Sequence, residues 1–208
     1  YIPPDKNGLK PLKGAINDAN EIENWILSQE GGNVPSQNCF KITSTTNPLR
    51  PIQNQVDDAF IEIEELVRTK IGLNARRLYF YFAGHGIGLI NSKKEIALCL
   101  ADWTVIKRNS ALSCEQYQDI LERFGYFEEI YFIIDCCRNT KVDIRPLHPS
   151  FGLPVPGVNA GKTKLFIAYA TQYQNTAKEV ETGDSEMRGA FTKVLLDGLK
   201  GNAADLSG

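Results

Sequence analysis

Two kinds of apolar pattern alternate along this chain. In some stretches the apolar side chains recur every three to four residues, which is the spacing of a helix that buries one face. The predicted helices cover residues 18–28, 51–72, 113–124 and 189–199. Other stretches are short, unbroken apolar runs, as in strands that are covered on both faces. The predicted strands cover residues 39–44, 78–82, 96–100, 129–134 and 164–171.

The order of these elements predicts the fold class. Strands that alternate with helices are typical of layered α/β folds with a mainly parallel central sheet. Such sheets place their functional sites beyond the carboxyl ends of the strands. Residues 140–163 have no periodicity and contain several prolines and glycines, which predicts a long loop. The length of 208 residues fits a single domain, residues 1–208.

The composition argues against several classes of partner. Lys and Arg number 23, Asp and Glu number 25, and the net charge of -2 gives no field that would attract nucleic acid or an anionic membrane. The five cysteines include no Cys-x-x-Cys pair. No apolar run approaches the roughly 20 residues of a membrane span, and no signal-peptide pattern is visible. We expect a soluble protein of the reducing cytoplasm.

The residues with the strongest chemistry stand at the ends of two predicted strands. His85 follows the strand at 78–82, between Gly84 and Gly86, and Cys137 follows the strand at 129–134. A cysteine attacks as its thiolate, and histidine exchanges protons near neutral pH. The backbone N–H groups of Gly86 and Cys137 are candidate donors of an oxyanion hole. Each residue alone also fits a turn histidine or a buried cysteine, but the pair favours catalysis.

Two motifs carry a resemblance to a known family. Tyr81-Phe82-Ala83-Gly84-His85-Gly86 and Ile133-Ile134-Asp135-Cys136-Cys137-Arg138 resemble the histidine and cysteine motifs of the caspase and metacaspase superfamily. Their spacing of about 50 residues is that of caspases. Residues 12–19 resemble the opening of the first metacaspase helix, and residues 189–192 resemble the start of a late helix. The resemblance covers nearly the whole chain and is closer to metacaspase-type prokaryotic proteins than to animal caspases.

The resemblance implies a caspase-like layered α/β/α fold and a cysteine endopeptidase that acts on proteins or peptides without a cofactor. Hydrolysis would proceed through a His/Cys dyad and a thioester acyl-enzyme, with His85 as the general base. The family nucleophile is the third residue of Gln-Ala-Cys or Asp-Ser-Cys. The order Asp135-Cys136-Cys137 therefore assigns this role to Cys137, with Cys136 as the alternative.

The resemblance also implies a substrate class. Caspases, which cut after aspartate, carry Gln two residues before the nucleophile, whereas metacaspases, which cut after Arg or Lys, carry Asp, as here at Asp135. Asp18 matches a second pocket acid, and two carboxylates would bind a basic side chain. Asp18 is alternatively a helix N-cap paired with Glu21, and Asp135 a strand-terminating acid.

The resemblance further indicates how the substrate main chain is held. In this family the strand after the long loop pairs with the peptide backbone, which provides affinity without selecting side chains. Residues Ala168, Tyr169 and Ala170 match that strand.

Metal ligands are scarce in this sequence. Many metacaspases bind calcium through acids after the histidine motif, but residues 87–100 contain only Glu95, with Asp102 beyond. This argues against calcium activation. Zinc is not expected either, because His85 and His148 are the only histidines and no cysteines have finger-like spacing.

Domain boundaries and two rival functions stay open at this stage. The family domain normally opens with a strand before its first helix, and the chain contains no such strand, so we interpret it as a fragment to which regulatory domains are joined. One rival is a catalytically idle caspase-like module that binds partners. The other is a caspase-type enzyme that cuts after Asp, a side chain that Asp135 and Asp18 would repel.

Overall fold

A computed structural model of the chain describes residues 9, 11–90, 92, 95–139, 143–152, 155–172, 175–183 and 185–203. The helices are α1 (Ala15–Leu27), α2 (Gln53–Leu66), α3 (Cys114–Phe124) and α4 (Ala190–Asp197). The strands are β1 (Thr45–Thr46), β2 (Leu49–Arg50), β3 (Ala75–Gly84), β4 (Gly86–Gly88), β5 (Ile96–Cys99), β6 (Ala111–Ser113), β7 (Phe127–Cys136), β8 (Lys164–Tyr169), β9 (Glu179–Glu181) and β10 (Met187–Gly189). None of the helices in these ranges is both long and apolar enough to cross a bilayer.

The central sheet is parallel, with the strand order β3-β7-β8. Side chains alternate between its two faces. On one face Tyr79 meets Trp25 of α1, with ring centroids 5.9 Å apart. On the other face Phe80 stacks on Phe60 of α2, and Tyr117 of α3 packs against the same Phe60. Helices therefore cover both faces, and the predicted α/β/α layering with a parallel central sheet is confirmed.

A second, antiparallel sheet lies beside the end of the first. Its strand order is β4-β5-β6, and its residues are almost fully buried. Strand β4 follows β3 after a single residue, so the sequence turns directly from one sheet into the other at His85. His85 therefore lies at the junction of the two sheets.

The helix boundaries agree with the apolar spacing except at the first helix. Helix α1 begins at Ala15, three residues before the predicted start, with Gly14 as its N-cap residue. Helix α2 continues into a π-helical turn that ends at Gly72, where φ is 69°. Helix α3 begins as predicted, because the Ser113 hydroxyl accepts a hydrogen bond from the Gln116 N–H at 3.1 Å.

The strand predicted at residues 39–44 is wrong. These residues are irregular, and together with β3 they line a cavity of about 840 Å³. In the part of the chain that the structure describes, no backbone ladder joins this segment to β3. Within the described residues, β3 is paired with β7 alone. Most of β3 is consequently half-buried, where the apolar run predicted full burial.

The long loop predicted at residues 140–163 forms no helix or strand over its described parts, but it is well packed. Leu147 bridges to β6, with its N–H donating to the Ala111 carbonyl at 2.7 Å. Asp57 of α2 accepts hydrogen bonds from the backbone and the hydroxyl of Ser150. Phe151 stacks on Phe60 with centroids 5.6 Å apart. The loop therefore contributes a few side chains to the core, while most of its described residues are exposed.

Candidate active site

Strands β3 and β7 bring the two candidate catalytic residues together. They pair in parallel with Gly84 opposite Cys136, at the last residue of each strand. His85 and Cys137 follow immediately, so they leave the sheet side by side at the same edge. Neighbouring parallel strands are about 4.8 Å apart, which is within reach of a histidine and a cysteine side chain.

Contacts of the main chain fix the two segments that follow these strands. The Cys99 N–H donates to the His85 carbonyl at 2.9 Å, and the Gly88 N–H donates to the Asn139 carbonyl at 3.3 Å. Gly86 lies so close to β7 that a Cβ atom there would overlap the Cys136 Sγ and come within 2.5 Å of the Cys137 carbonyl oxygen. Only glycine allows this approach.

The two vicinal cysteines differ in exposure. Cys136 is 1% exposed, and burial raises the pKa of its thiol well above the ordinary value. A neutral, buried thiol is a poor nucleophile. Cys137 is half-buried and therefore reachable. The chemistry thus favours Cys137, as the motif register predicted.

The other three cysteines are also free thiols. Cys99 and Cys114 are buried, and burial raises the pKa of both thiols, that of Cys114 to about 12. Cys39 is half-buried, and burial raises its pKa as well. These side chains are packing residues in this structure.

The two predicted pocket acids converge on Gly189. A Cβ atom at this glycine would overlap the Asp135 Oδ2 and lie 2.9 Å from the Asp18 Oδ2. The carboxylates come from different elements, α1 and β7, yet they face the same short stretch of backbone. Asp18 is 2% exposed and Asp135 is 6% exposed. The structure therefore brings the pair together but covers both members.

Each carboxylate accepts hydrogen bonds from the segment at the start of α4. Asp18 accepts from the Arg188 Nε at 2.6 Å and from the Gly189 N–H at 2.7 Å. Asp135 Oδ2 accepts from the Thr192 hydroxyl at 2.6 Å and from its N–H at 3.3 Å. The Thr192 hydroxyl also lies 2.7 Å from the Tyr81 hydroxyl. Sequence reasoning missed these partners, although Gly189 and Thr192 belong to a segment that it singled out.

Burial dominates the electrostatics of the pocket. It raises the pKa of the Asp18 carboxyl, and the hydrogen bonds from Arg188 and Gly189 offset this only in part. Burial also raises the pKa of Asp135, and the negative charges of Asp18 and Glu179 add to the effect while Thr192 opposes it. At both carboxyl groups the cost of burying the charged form therefore outweighs the hydrogen bonds that stabilise it.

The N-cap alternative for Asp18 is wrong. Gly14 is the N-cap residue of α1, and Asp18 lies inside the helix with its own N–H donating to the Gly14 carbonyl at 2.9 Å. Its side chain points to Arg188 and Gly189, away from its own helix terminus. Asp135 is the second-last residue of β7, so it does not terminate the strand, and its carboxylate accepts a hydrogen bond from the Thr192 hydroxyl.

The predicted main-chain binding segment lies at the end of β8. Ala168 and Tyr169 are in the strand, and the Ala170 N–H donates to the Ile134 carbonyl at 3.0 Å. Because the backbone N–H and C=O groups of successive residues alternate in direction along a strand, those of Tyr169 point away from β7. They face the side on which a peptide main chain would pair. The Tyr169 ring lies under Arg138, whose guanidinium carbon is 4.3 Å from the ring centroid.

The sequence matches the family model of the peptidase caspase domain over residues 5–207. This chain belongs to the caspase-domain peptidases. A probable protease from a Desulfuromonadales bacterium is 33% identical over 200 residues, which is 91% of this chain and 24% of the relative. The chain thus spans about a quarter of the length of that relative.

The two acids considered as calcium ligands have other partners in this caspase domain. Glu95 is buried and accepts a hydrogen bond from the Ser113 hydroxyl at 2.9 Å. Asp102 pairs with Lys107. Over the described ranges, no cluster of three or more His, Cys, Asp or Glu side chains has a geometry that holds a metal ion. Independence from calcium stays a prediction.

Glu95 gives the caspase domain a pH-dependent stability. Burial, followed by the neighbouring Glu115 carboxyl, raises its pKa from 4.5 to about 7. The unfolded chain releases this proton near pH 4.5 and the folded chain near pH 7, so the free energy of unfolding falls as the pH rises between these values. In wild type this fall in the free energy of unfolding should amount to about 3 kcal/mol. We expect the fall to be absent in Glu95→Gln when urea unfolding is measured across this pH range. Glu62→Gln, at an exposed site on α2, is the control, and an unchanged pH profile in Glu95→Gln would refute the assignment.

Proposed function

We propose that this chain is a cysteine endopeptidase that hydrolyses peptide bonds after Arg or Lys through His85 and Cys137. The observation that carries the proposal is the register of β3 and β7, which places these residues at neighbouring strand ends. The caspase-domain family and the relative described as a probable protease support proteolysis.

The geometry suggests the following chemistry. His85 accepts the proton of the Cys137 thiol, and the thiolate sulfur forms a bond to the carbonyl carbon of the substrate. The N–H groups of Gly86 and Cys137 stabilise the oxyanion. His85 then protonates the departing amine as the C–N bond breaks, which leaves a thioester. Water, deprotonated by His85, attacks the thioester, and the Cys137 thiolate leaves and regains its proton.

A deficit of positive charge in the acid pocket supports basic specificity. Asp18 and Asp135 lie close together, and Glu179 is near enough to raise the pKa of both. Among the described residues, Arg188 is the cation that pairs with this cluster, and its partner is Asp18. A guanidinium or ammonium from a substrate would supply the missing charge beside Asp135. An aspartate side chain would add a further negative charge to a buried site.

Peptides with Arg, Lys or Asp before a fluorogenic leaving group test the proposal, each assayed with and without a chelator. We expect turnover of the Arg and Lys peptides, unchanged by the chelator. Turnover of the Asp peptide alone would favour a caspase-type pocket. No turnover of any peptide would favour an idle interaction module.

The variant Asp135→Asn tests the pocket. We expect the kcat/KM for the Arg peptide to fall by about 30-fold or more, because the asparagine keeps the hydrogen bond from Thr192 but loses the charge that pairs with the substrate. Asp119→Asn, at an exposed position of α3, is the matched control. Equal kcat/KM values in Asp135→Asn and wild type would exclude this carboxylate from specificity.

A further inference from the structure

The acid pocket is closed by this chain's own strand β10. The Gly189 backbone fills the space between the two carboxylates, as the overlap of a Cβ atom with both of them shows. Within the described residues, the hydrogen bonds to the Asp18 carboxylate come from the adjoining residues Arg188 and Gly189. A basic side chain of a substrate therefore cannot reach Asp18 while β10 keeps this position.

Arg188 is held in this site by an incomplete set of hydrogen bonds. Its Nε donates to Asp18 at 2.6 Å, but its Nη2 is buried and has no hydrogen-bond partner among the described residues. The residue is 9% exposed. A guanidinium binds a carboxylate best with two parallel N–H donors, and a buried unpaired donor is costly. The contact therefore meets the hydrogen-bonding needs of the Asp18 carboxylate more fully than those of the Arg188 guanidinium.

We infer that Arg188 is a specificity-determining residue that occupies Asp18 in the resting chain and is exchanged for the Arg or Lys side chain of a substrate. This inference rests on the proposed function and adds the origin of its selectivity. When Arg188 leaves, Asp18 loses its positively charged partner, and a neutral or acidic substrate side chain cannot replace that charge. Only a basic substrate compensates for the displacement.

The structure of the β9–β10 hairpin fits such an exchange. The hairpin is a two-stranded sheet, separate from the central one, and its described turn residues are largely exposed. Side-chain contacts fasten it to the start of α1. Asn17 Nδ2 donates to the Met187 carbonyl at 3.2 Å, and Glu179 accepts from the Gly14 N–H at 2.5 Å. These contacts join the hairpin to α1, and among the residues that the structure describes no backbone ladder joins it to β3, β7 or β8.

Kinetics of Arg188→Ala test the inference. Removing the internal competitor should lower the KM for the Arg peptide by about fivefold or more while kcat changes by less than about twofold, because a larger fraction of molecules is ready to bind. Arg77→Ala, which breaks an exposed ion pair with Glu129 far along β3, is the control and should leave KM unchanged. If Arg188 only stabilises the fold, Arg188→Ala lowers stability and kcat with no fall in KM, and the inference is wrong.

A second measurement needs no change at Arg188. The Gly189 N–H donates to Asp18, so its hydrogen exchange reports on the position of β10. In Cys137→Ala, a saturating peptide that ends in arginine should reduce the protection of this N–H by about tenfold or more, and one that ends in alanine should not. Unchanged protection with a bound arginine peptide overturns the exchange of Arg188 but leaves the proposed function intact. If arginine peptides are neither bound nor cleaved, both proposals fail.

Discussion

Cys137→Ala is expected to lower the hydrolysis of an Arg peptide by at least about a thousandfold. The thiol supplies the only bond between enzyme and acyl group in the proposed mechanism, and residues that act as a unit with a nucleophile cannot replace it. The substitution removes one half-buried sulfur, so the fold should persist. Initial rates with a fluorogenic Arg peptide, alongside circular dichroism, measure both effects.

The neighbouring cysteine provides the matched control. Cys136→Ala deletes a sulfur that is 1% exposed and lies against Gly86, so we expect a loss of stability of about 1 kcal/mol and an activity within about tenfold of wild type. The reverse result, an active Cys137→Ala and an inactive Cys136→Ala, would move the nucleophile by one residue. It would also contradict the register argument.

Gly86→Ala is expected to reduce kcat/KM by about a hundredfold or more. The new Cβ would come within 2.5 Å of the Cys137 carbonyl oxygen, which is a backbone atom and cannot rotate away. The segment after β7 must shift, and misplacement of reacting groups by about 1 Å costs on the order of a hundredfold in rate. Overpacking of this kind also destabilises by about 1–3 kcal/mol. Steady-state kinetics and urea unfolding measure the two effects.

Gly152→Ala is the matched control for this substitution. A Cβ at Gly152 meets no atom of the described residues within 4 Å, so activity and stability should match those of wild type. A Gly86→Ala enzyme with the kcat/KM of wild type would show that the close approach to β7 does not position Cys137. The role of Gly86 in the oxyanion hole would then need other support.

The two apolar runs at 78–82 and 129–134 were sufficient to predict the central strands. Their composition and the residues that follow them also predicted that His85 and Cys137 lie at strand ends. Their adjacency was not predictable from these runs, because pairing and register depend on which strands become neighbours in the sheet. The observed pairing of Gly84 with Cys136 supplies this information.

The segment at 39–44 shows the opposite case. Its apolar residues suit a strand, but strands are stabilised by a partner, and local preference is weak without one. Residues 39–44 line a cavity together with β3, and within the described residues they form no ladder with it. A pattern in the sequence cannot reveal which strands a segment will have as neighbours in the sheet.

Arg188 was missed for a related reason. Its partner Asp18 is 170 residues away in sequence, and a single arginine before Gly189 has no local pattern that marks it as buried. The signal that was available is the charge balance, since two neighbouring buried carboxylates require a cation. That signal becomes visible only after Asp18 and Asp135 have been placed together.

The ladder between β3 and β7 makes the catalytic alignment a property of the backbone. Nine residue pairs connect the strands from Ala75 to Gly84, and none of these links depends on the identity of a side chain. Apolar exchanges within either strand therefore leave the alignment of His85 with Cys137 intact. One residue inserted into a single strand would displace one partner by about 3.3 Å and turn its side chain to the opposite face. Apolar side chains in these strands can thus be exchanged during evolution without loss of the alignment, but an insertion in one strand requires a matching insertion in the other.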